Sequence, residues 1–466
     1  MLNKKTKIVC TLGPATMEVQ MLVKLIKNGM NVARLNFSHG DYHEQSSLIE
    51  NIHQAEKITG QTIAIMQDLQ GPKIRLGTLP DTGIAIKLGE KFILDTGTTK
   101  CTVDPKIIPV QYKNLHRDVG KKDIILIEDG LLKTEVVSVK KTQITVKALT
   151  PGLLKTHKGL NVPTASISAD PLTAKDLADL KFGLKHQVDL IALSFVRNAS
   201  DIERLRKLIK SQGSEAKIVA KIERHEALKN LEKIMAATDG VMVARGDLGV
   251  ETPAEEVPIA QKNIVRMAGK MGKPVIIATE MLQSMIERPR ATRAEISDAA
   301  NAVFDHADAL MLSNETAVGK YPESAVLTLS KVSQNIEKFQ LENNYSRLRA
   351  YDFKEGDPSE ICHLAAKLAE ETHASLIVTV TSHGFTAREV AKQRTFTPIL
   401  TITPYESVKR QLQLVWGINE VLISKVSTTD KIVALLKQNG SVKKGQKIVI
   451  VSNASMEERQ IFLIQI

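Results

Sequence analysis

The sequence predicts an α/β fold: a (β/α)8 TIM barrel, interrupted after its third strand by a small inserted β-barrel domain and followed by a C-terminal α/β domain. Three observations lead to this prediction. Eight short apolar runs alternate with segments of helical periodicity, a stretch of short alternating strands breaks the series, and further apolar runs follow it. The expected boundaries are 1–71 and 166–340 for the barrel, 72–165 for the insertion and 341–466 for the last domain.

Eight apolar runs form the predicted barrel strands. Their near-continuous hydrophobic character is typical of parallel strands that are buried on both faces. The runs lie at residues 7–11, 31–37, 62–66, 190–195, 217–221, 240–244, 274–278 and 309–312. An open doubly wound sheet also fits strands that alternate with helices, but eight units favour a closed barrel.

Segments of helical periodicity lie between and after these strands. They are residues 18–28, 42–59, 173–185, 200–211, 225–237, 255–271, 293–304 and 323–340. Thr173 with Asp176, and Ser200 with Glu203, resemble capping boxes, in which two side chains three residues apart satisfy free N–H groups. We therefore expect helices to begin at these two positions.

The stretch after the third strand changes to alternating apolar and polar residues, which is typical of half-buried antiparallel strands. Turn signals at residues 81–83 and 151–152 separate strands that we place at 84–88, 124–127, 134–139 and 143–148. After the barrel, apolar runs at 376–380, 399–402, 420–423 and 447–451 predict a second α/β sheet.

Composition is that of a globular protein. At roughly 150 residues per domain, 466 residues suggest about three domains. Apolar residues make up 43% and charged residues 25%, and no apolar stretch approaches the roughly 18 residues of a membrane helix. The first residues lack a secretory signal, and the three cysteines lie too far apart for a disulfide framework or a clustered metal site. We expect a cytoplasmic protein without membrane association.

The net charge of +11, from 63 Lys and Arg against 52 Asp and Glu, indicates an anionic partner or a basic solvated surface. Nucleic acid, a membrane surface and small anions are all candidates. The insertion carries much of the excess, with 16 basic against 9 acidic residues. Aromatic residues make up only 4%, which disfavours stacking on single-stranded nucleic acid.

Polar and charged residues follow several of the predicted barrel strands. Catalytic groups of (β/α)8 enzymes lie at these carboxyl ends, and charges there need partners because burial without them is costly. Single residues could form structural ion pairs, but so many together indicate a site. The residues are Arg34, Asn36, Ser38, Asp68, Lys221, Glu223, Arg245, Asp247, Thr279, Glu280, Ser313 and Glu315.

The residue types at these strand ends suit phosphoryl transfer. Asp68, Glu223 and Asp247 could hold a hard cation such as Mg²⁺, which prefers oxygen ligands and substrate phosphates. The interleaved lysine and arginine side chains could neutralise charge on a moving phosphoryl group. Gly246 lies in a glycine-containing loop whose backbone N–H groups could approach an anion, although such loops are common turns. No P-loop motif is present.

Eight segments in order give the chain a resemblance to the pyruvate kinase family over residues 7–451. They lie at residues 11–15, 33–40, 67–75, 158–163, 221–223, 244–249, 278–282 and 289–295. The resemblance implies a barrel with a β lid after strand 3 and a regulatory C-terminal domain. It also implies transfer of the phosphoryl group of phosphoenolpyruvate to ADP, giving pyruvate and ATP, the last step of glycolysis.

The resemblance assigns roles to strand-end residues. Arg34, Lys221 and Thr279 would be catalytic and would contact the substrate together with Gly246 and Asp247. Glu223 and Asp247 would bind Mg²⁺ or Mn²⁺. The nucleotide would contact residues after the second strand and at both ends of the lid. These residues are Asn36, Phe37, Ser38, His39, Arg75 and Lys158.

One departure from the family concerns potassium. Many members have glutamate where this chain has Lys73, and they need K⁺ near the positions of Asn36, Ser38 and Asp68. A lysine ammonium can supply that positive charge itself, so the chain resembles a potassium-independent subgroup and we expect no K⁺ requirement. The alternative is a lid-surface lysine without this role.

The C-terminal domain is implied to bind an effector. In the family, the position of Thr381, Ser382, His383, Gly384 and Thr386 binds the phosphate of a sugar phosphate, although an ordinary strand-to-helix cap would look similar. The arginine-rich loop that captures fructose 1,6-bisphosphate in some members is missing from residues 452–459. We expect a sugar monophosphate or nucleotide effector, or none, and a homotetramer.

Two other functions are also compatible with these residues. A Mg²⁺-dependent barrel lyase or aldolase acting on pyruvate or phosphoenolpyruvate could use the same carboxylates, and Lys221 could form a Schiff base if its amine were neutral. A basic nucleic-acid-binding protein would show salt-dependent DNA binding and no ADP turnover. The lid residues Arg75 and Lys158 favour the kinase.

Overall fold

The computed structural model describes residues 4–343, 358–426, 428–453 and 459–466. The barrel begins with three buried strands and two helices. Helix α2 starts at an Asp41–Glu44 capping box and ends at Gly60, whose φ of 67° is left-handed and suits glycine. These elements are β1 (Lys7–Thr11), α1 (Val19–Lys27), β2 (Val32–Asn36), α2 (Tyr42–Thr59) and β3 (Ala64–Asp68).

The insertion after β3 has a hydrophobic core of its own, formed by residues from Ile74 to Ile167. Within residues 72–165, seven strands form one sheet in the order β12-β8-β9-β10-β5-β7-β6, and β11 pairs with β4. The elements are β4 (Ile84–Ile86), β5 (Lys91–Asp95), β6 (Thr102–Val103), β7 (Lys106–Pro109), α3 (Leu115–Asp118), β8 (Ile124–Ile127), β9 (Leu132–Lys140), β10 (Gln143–Ala148), β11 (Gly152–Leu154) and β12 (Leu160–Asn161).

The chain then returns to complete the barrel. Within residues 4–343, eight parallel strands close in the order β1-β2-β3-β13-β14-β15-β16-β17, which confirms the predicted closed barrel. The added elements are α4 (Ala174–Lys185), β13 (Leu190–Leu193), α5 (Ala199–Ser211), β14 (Lys217–Ile222), α6 (His225–Lys229), α7 (Leu231–Ala237), β15 (Gly240–Ala244), α8 (Arg245–Glu251), α9 (Val257–Lys270), β16 (Val275–Ala278), α10 (Arg293–Phe304), β17 (Ala309–Leu312), α11 (Asn314–Ala317) and α12 (Pro322–Glu342).

The C-terminal domain is a second α/β layer. Its described strands form a sheet in the order β20-β19-β18-β21-β22, in which only the β21–β22 pair is antiparallel. The elements are α13 (Pro358–Glu371), β18 (Leu376–Val380), α14 (Phe385–Lys392), β19 (Ile399–Thr403), α15 (Glu406–Gln411), β20 (Ile418–Ile423), α16 (Thr429–Gln438), β21 (Lys447–Asn453) and β22 (Arg459–Gln465).

Apolar packing, hydrogen bonds and ion pairs join this domain to the barrel. Leu414 packs with the apolar side chains that fill the barrel interior. The Arg410 guanidinium donates to Glu56 at 2.8 Å and to Asp189 at 3.1 Å, both on the barrel. No helix in the described ranges is both long and apolar enough to cross a membrane.

The structure differs from the sequence-based predictions at several places, which include the insertion strands β5, β6, β7, β11 and β12, for which no range was predicted. The helix expected to start at a Ser200 capping box instead has Asn198 as its cap, and Asn198 accepts from the Asp201 N–H. The fourth barrel strand ends at Leu193, the helix expected at 225–237 divides at Asn230, and the last strand, β22, was not predicted. The early end of the fourth strand affects how the residue after Leu193 is presented to the site.

Candidate active site

Four of the predicted residues meet at the carboxyl end of the barrel. Lys221 Nζ lies 3.2 Å from Asp68 Oδ1 and 2.9 Å from Glu223 Oε1. On the other side of Asp68, Arg34 Nε donates to Oδ2 at 2.7 Å. Asp68 and Glu223 are each only 1% exposed. Strands β2, β3 and β14 thus bring two cations and two carboxylates into one buried network.

The network sets the protonation of its members. Burial acts to raise the pKa of Asp68, but the nearby Lys221 and Arg34 charges outweigh it and lower that pKa below its usual range. Burial acts to lower the pKa of Lys221, but Asp68 and Glu223 raise it well above the ordinary lysine value. Lys221 is therefore a cation, which disfavours the Schiff-base chemistry of a neutral amine.

Ser194 is a member of the site that the sequence analysis did not assign. Its Oγ accepts from Lys221 Nζ at 2.7 Å and donates to the Leu69 carbonyl at 2.6 Å. Strand β13 ends one residue earlier, and Phe195 has a φ of 55°, so the chain turns sharply and presents the serine to Lys221. A polar residue within the fourth predicted run, 190–195, was the available signal.

The sixth and seventh strands present Gly246 and Thr279 to each other. The Gly246 N–H donates to Thr279 Oγ1 at 2.8 Å, so this amide is already paired in this state. Thr279 has a φ of 66°, a strained value for a β-branched residue that costs about 1–3 kcal/mol. Arg245 Nη2 donates to the Thr279 carbonyl at 2.7 Å, and Arg245 also pairs with Asp298. Arg245 therefore holds the strained loop in place.

The carboxylates of Glu223 and Asp247 fit a divalent cation. Burial, with the negative charge of Asp247 as a lesser cause, raises the pKa of Glu223, and a bound cation would relieve this. Among the described residues none donates a hydrogen bond to the Asp247 side chain, and no cluster of three or more His, Cys, Asp or Glu could enclose a metal. This suits Mg²⁺, which keeps water and substrate oxygens as ligands.

The expected nucleotide-binding residues divide between barrel and insertion. Asn36 Oδ1 accepts from the Ser38 N–H at 3.1 Å, and the His39 N–H reaches the Asn36 carbonyl at 3.3 Å, which makes a tight turn after β2. The Phe37 ring is buried and packs against Phe182, its N–H donates to the Asp68 carbonyl at 3.0 Å, and its carbonyl accepts from Lys175 Nζ at 2.6 Å.

Two segments connect the insertion to the barrel, residues 72–76 and 157–162, and these hinge segments carry the remaining expected nucleotide residues. Arg75 forms a bridge with Gly159, and its Nη1 donates to the His157 carbonyl at 3.1 Å. Lys158 Nζ lies 2.5 Å from Glu128 Oε1, so its charge is engaged inside the insertion in this state. Most other lysines of the insertion are exposed on its surface: Lys87, Lys91, Lys100, Lys113, Lys121, Lys122, Lys133, Lys140, Lys141, Lys147 and Lys155.

Lys73 lies at the first hinge and is exposed. It lines a small cleft whose walls include Asn161, Phe195, Asp247 and Glu251. Among the described residues, its ammonium makes no ion pair with Asp68. The structure therefore places Lys73 at the mouth of the site rather than inside the Arg34–Asp68–Lys221 network.

The expected effector residues lie between β18 and α14. Thr381 and Thr386 are buried, Ser382 and His383 are exposed, and Gly384 has a φ of 76° immediately before the helix. Thr386 Oγ1 is buried and has no hydrogen-bond partner among the described residues. The bisphosphate loop expected to be missing falls partly on residues 454–458, which lie outside the described residues.

A closed (β/α)8 barrel with buried cations, paired carboxylates and an inserted domain at its carboxyl end defines a class of metal-assisted enzymes acting on phosphorylated substrates. The chain matches the family described as "Pyruvate kinase, barrel domain" over residues 3–326 and "Pyruvate kinase, alpha/beta domain" over residues 359–461. The chain belongs to the pyruvate kinase family.

Individual relatives agree with this membership. The chain is 43% identical to the pyruvate kinase of Geobacillus stearothermophilus, over 98% of this chain and 79% of that protein. It is 42% identical to pyruvate kinase 2 of Synechocystis sp., over 97% of this chain and 77% of that protein. A crystal structure of a pyruvate kinase from Cryptosporidium parvum superposes with a TM-score of 0.90 at 34% identity, covering 99% of this chain and 96% of that one.

The family membership determines the reaction. The protein is a phosphotransferase whose substrates and products are phosphoenolpyruvate, ADP, pyruvate and ATP, rather than a barrel lyase or aldolase. The family generally uses Mg²⁺.

Proposed function

We propose that the chain performs this reaction with Mg²⁺ held by Glu223 and Asp247, and without K⁺. The observation that carries the residue assignment is the buried network of Arg34, Asp68, Lys221 and Glu223 at the strand ends. Bound there, Mg²⁺ would neutralise negative charge on substrate oxygens.

Arg34 and Lys221 are the proposed phosphate-binding cations. Asp68 and Thr11 accept hydrogen bonds from two nitrogens of Arg34, while Nη2 has no partner among the described residues and can donate to a phosphate oxygen. Lys221 is fixed by Asp68, Glu223 and Ser194, so its positive charge needs little reorganisation when charge develops on the transferring group.

Thr279 is the proposed residue beside the carbon of the substrate that receives a proton. Its hydroxyl donates to the Ala278 carbonyl at 2.7 Å and accepts from Gly246. A substrate carboxylate that approaches the Gly246 and Asp247 backbone would compete with Thr279 for the Gly246 amide. Binding of the carboxylate and orientation of the hydroxyl are then linked.

Metal removal tests this assignment. After chelation, pyruvate formation from phosphoenolpyruvate and ADP should stop and should return on addition of Mg²⁺ or Mn²⁺. Asp247→Asn should raise the Mg²⁺ concentration for half-maximal rate at least tenfold. Asp170→Asn, which removes a half-exposed carboxylate paired with Arg204 outside the proposed metal site, serves as the control for charge loss alone. An unchanged Mg²⁺ requirement in Asp247→Asn would remove Asp247 from the metal site.

Potassium independence is proposed on the charge of Lys73. Its placement at the mouth of a cleft shared with Asp247 supports an electrostatic role at the first hinge. Asn36, Ser38 and Asp68, the positions near which other members need K⁺, are in this chain engaged with one another or with Arg34 and Lys221.

Regulation, assembly and location complete the proposal. A sugar monophosphate or nucleotide would bind at residues 381–386, which the unpaired, buried Thr386 hydroxyl at the start of α14 supports. We also propose that the protein is a cytoplasmic homotetramer. The proposed domain boundaries are 1–71, 72–165, 166–340 and 341–466. The separate hydrophobic core of the insertion supports the boundaries of that domain.

A further inference from the structure

A hydrogen bond joins the inserted domain to the helix that carries Asp247. Asn161 Nδ2, at the end of β12, donates to Oε1 of Glu251 at 3.1 Å. Asn161 lies in the second strand that connects the insertion to the barrel, three residues after Lys158. Glu251 is the last residue of α8. The contact therefore spans the hinge of the insertion.

Helix α8 has substrate-site residues at one end and this hinge contact at the other. Asp247 and Glu251 are four residues apart, so they lie one helical turn apart on the same face, about 6 Å along the axis. Both line the small cleft that also contains residues 72–74 and 160–162 of the two hinge segments. A shift of this short helix at Asp247 would move Glu251 against Asn161.

Glu251 is buried but only loosely paired, which suits a movable contact. It is 6% exposed, and its Oε2 has no hydrogen bond from any described residue. The nearest basic atoms are His225 Nδ1 at 3.6 Å and Arg224 Nε at 4.0 Å, and Arg224 also lies 3.8 Å from Glu226. His225 Nδ1 also lacks a hydrogen-bond partner among the described residues. Asn161 is thus the one close hydrogen-bond donor to Glu251 among the described residues.

Asn161 and Lys158 both pair with the segment that ends β8. Asn161 pairs with Leu126 in β8, and Lys158 pairs with Glu128, two residues further along the same segment. Two pairs therefore connect the 158–161 segment to the 126–128 segment. They provide a physical route from Asn161 to the lysine that we place at the nucleotide.

We propose that Asn161 and Glu251 are positioning residues that couple substrate binding at Asp247 to nucleotide binding by the inserted domain. Substrate and metal at the start of α8 orient Glu251, Glu251 holds Asn161, and Lys158 is placed for ADP. Because binding coupling is reciprocal, ADP must also raise the affinity of the substrate site by the same factor. This inference rests on the proposed placement of the nucleotide against Lys158.

The test measures ADP affinity by calorimetry with and without oxalate, an enolpyruvate mimic that permits no turnover, at constant free Mg²⁺. Oxalate should tighten ADP binding of the unmodified enzyme about fivefold or more. Asn161→Ala and Glu251→Ala should each abolish most of that factor, and the double variant should add little. Glu251→Gln, which keeps an acceptor for Asn161, should retain it. Gln143→Ala, which removes an amide bonded to Asp95 inside the insertion, should also retain it.

Steady-state kinetics and amide exchange give independent readouts. Asn161→Ala should raise KM for ADP about threefold to tenfold and change kcat less than twofold. Without any ligand, the backbone amides of the two hinge segments should exchange faster in this variant than in the unmodified enzyme. Equal coupling factors in Asn161→Ala and the unmodified enzyme, or loss of coupling in Gln143→Ala, would overturn the proposal. If Lys158→Met leaves KM for ADP unchanged, the nucleotide placement itself is wrong, which separates that failure from failure of the coupling.

Discussion

Lys221 Nζ and Asp68 Oδ1 lie 3.2 Å apart in a site where both side chains are almost entirely buried. The pair joins the third and fifth strands of the barrel, and Arg34 from the second strand binds the other oxygen of Asp68. One carboxylate therefore orients both cations that we assign to the transferring phosphoryl group. Its position depends on barrel closure, because the three strands are far apart in the sequence.

Asp68→Asn should lower both stability and rate. Removing one partner of a buried ion pair leaves uncompensated charge and costs about 3 kcal/mol of unfolding free energy. We expect kcat to fall at least tenfold, because Lys221 and Arg34 lose their common anchor. Denaturant titration and a pyruvate assay measure the two effects. In the control Asp170→Asn, the lost partner is the half-exposed Arg204, and the cost should stay under about 1 kcal/mol.

The Asp68 effect should depend on pH in a defined direction. The pKa of Asp68 is lower in the folded protein than in the unfolded chain, where it is about 3.9. The stabilisation is therefore complete above about pH 4 and is lost as the pH falls through the lower, folded-state pKa. The stability difference between the unmodified protein and Asp68→Asn should be constant from pH 5 to 7 and shrink below pH 4. A difference that grows on acidification would contradict this assignment.

Lys73 should make the enzyme independent of potassium. In buffer that contains only bulky organic cations at matched ionic strength, we expect the rate to stay within about twofold of the rate with K⁺. Lys73→Glu should convert it to a K⁺-activated enzyme, since a negative charge replaces the positive one at the hinge. A tenfold or greater loss of rate of the unmodified enzyme without K⁺ would show that Lys73 does not replace the cation.

Glu128 should compete with ADP for Lys158. The two side chains form a 2.5 Å ion pair but are partly exposed, so the pair contributes at most about 1 kcal/mol. Glu128→Gln should therefore lower KM for ADP about twofold to fivefold and leave kcat and KM for phosphoenolpyruvate unchanged. Glu135→Gln on the same insertion is the charge-matched control. A higher KM for ADP in Glu128→Gln would mean that Glu128 supports binding instead.

The loop at residues 381–386 should respond to a phosphate monoester. At sub-saturating phosphoenolpyruvate, one of a series of sugar monophosphates or nucleotides should lower the half-saturating phosphoenolpyruvate concentration about fivefold or more. Thr386→Val should weaken this response by removing the unpaired hydroxyl. Absence of a response to every compound in the unmodified enzyme would leave the loop as an ordinary helix cap.

Much of the fold could be predicted because burial determines its pattern. Barrel strands enclosed on both faces must be nearly all apolar, and the polar residues that interrupt them fall at strand ends, where the site lies. Strand β22 was missed because it is an antiparallel edge strand that follows the last parallel strand without a helix between them. The Asn198 cap was missed because a nearby Ser200–Glu203 pattern fits the same rule.

Contacts between distant segments could not be predicted. Ser194 lies inside the predicted strand 190–195, and only the early end of β13 and the turn at Phe195 bring it to Lys221. Asn161 and Glu251 are 90 residues apart, and no periodicity relates them. The Phe37 ring was assigned with its motif to the nucleotide, whereas packing against Phe182 turns it into the core.

Lys221→Met tests the central assignment most directly. It removes the cation between Asp68 and Glu223 while keeping a side chain of similar length. The rate of pyruvate formation at saturating phosphoenolpyruvate, ADP and Mg²⁺ should fall about a hundredfold or more, as expected for loss of a group that stabilises transition-state charge. Lys262→Met, which removes a lysine paired with Asp305 on the outside of the barrel, should retain the full rate. A folded Lys221→Met protein with more than a tenth of the original kcat would contradict the assignment.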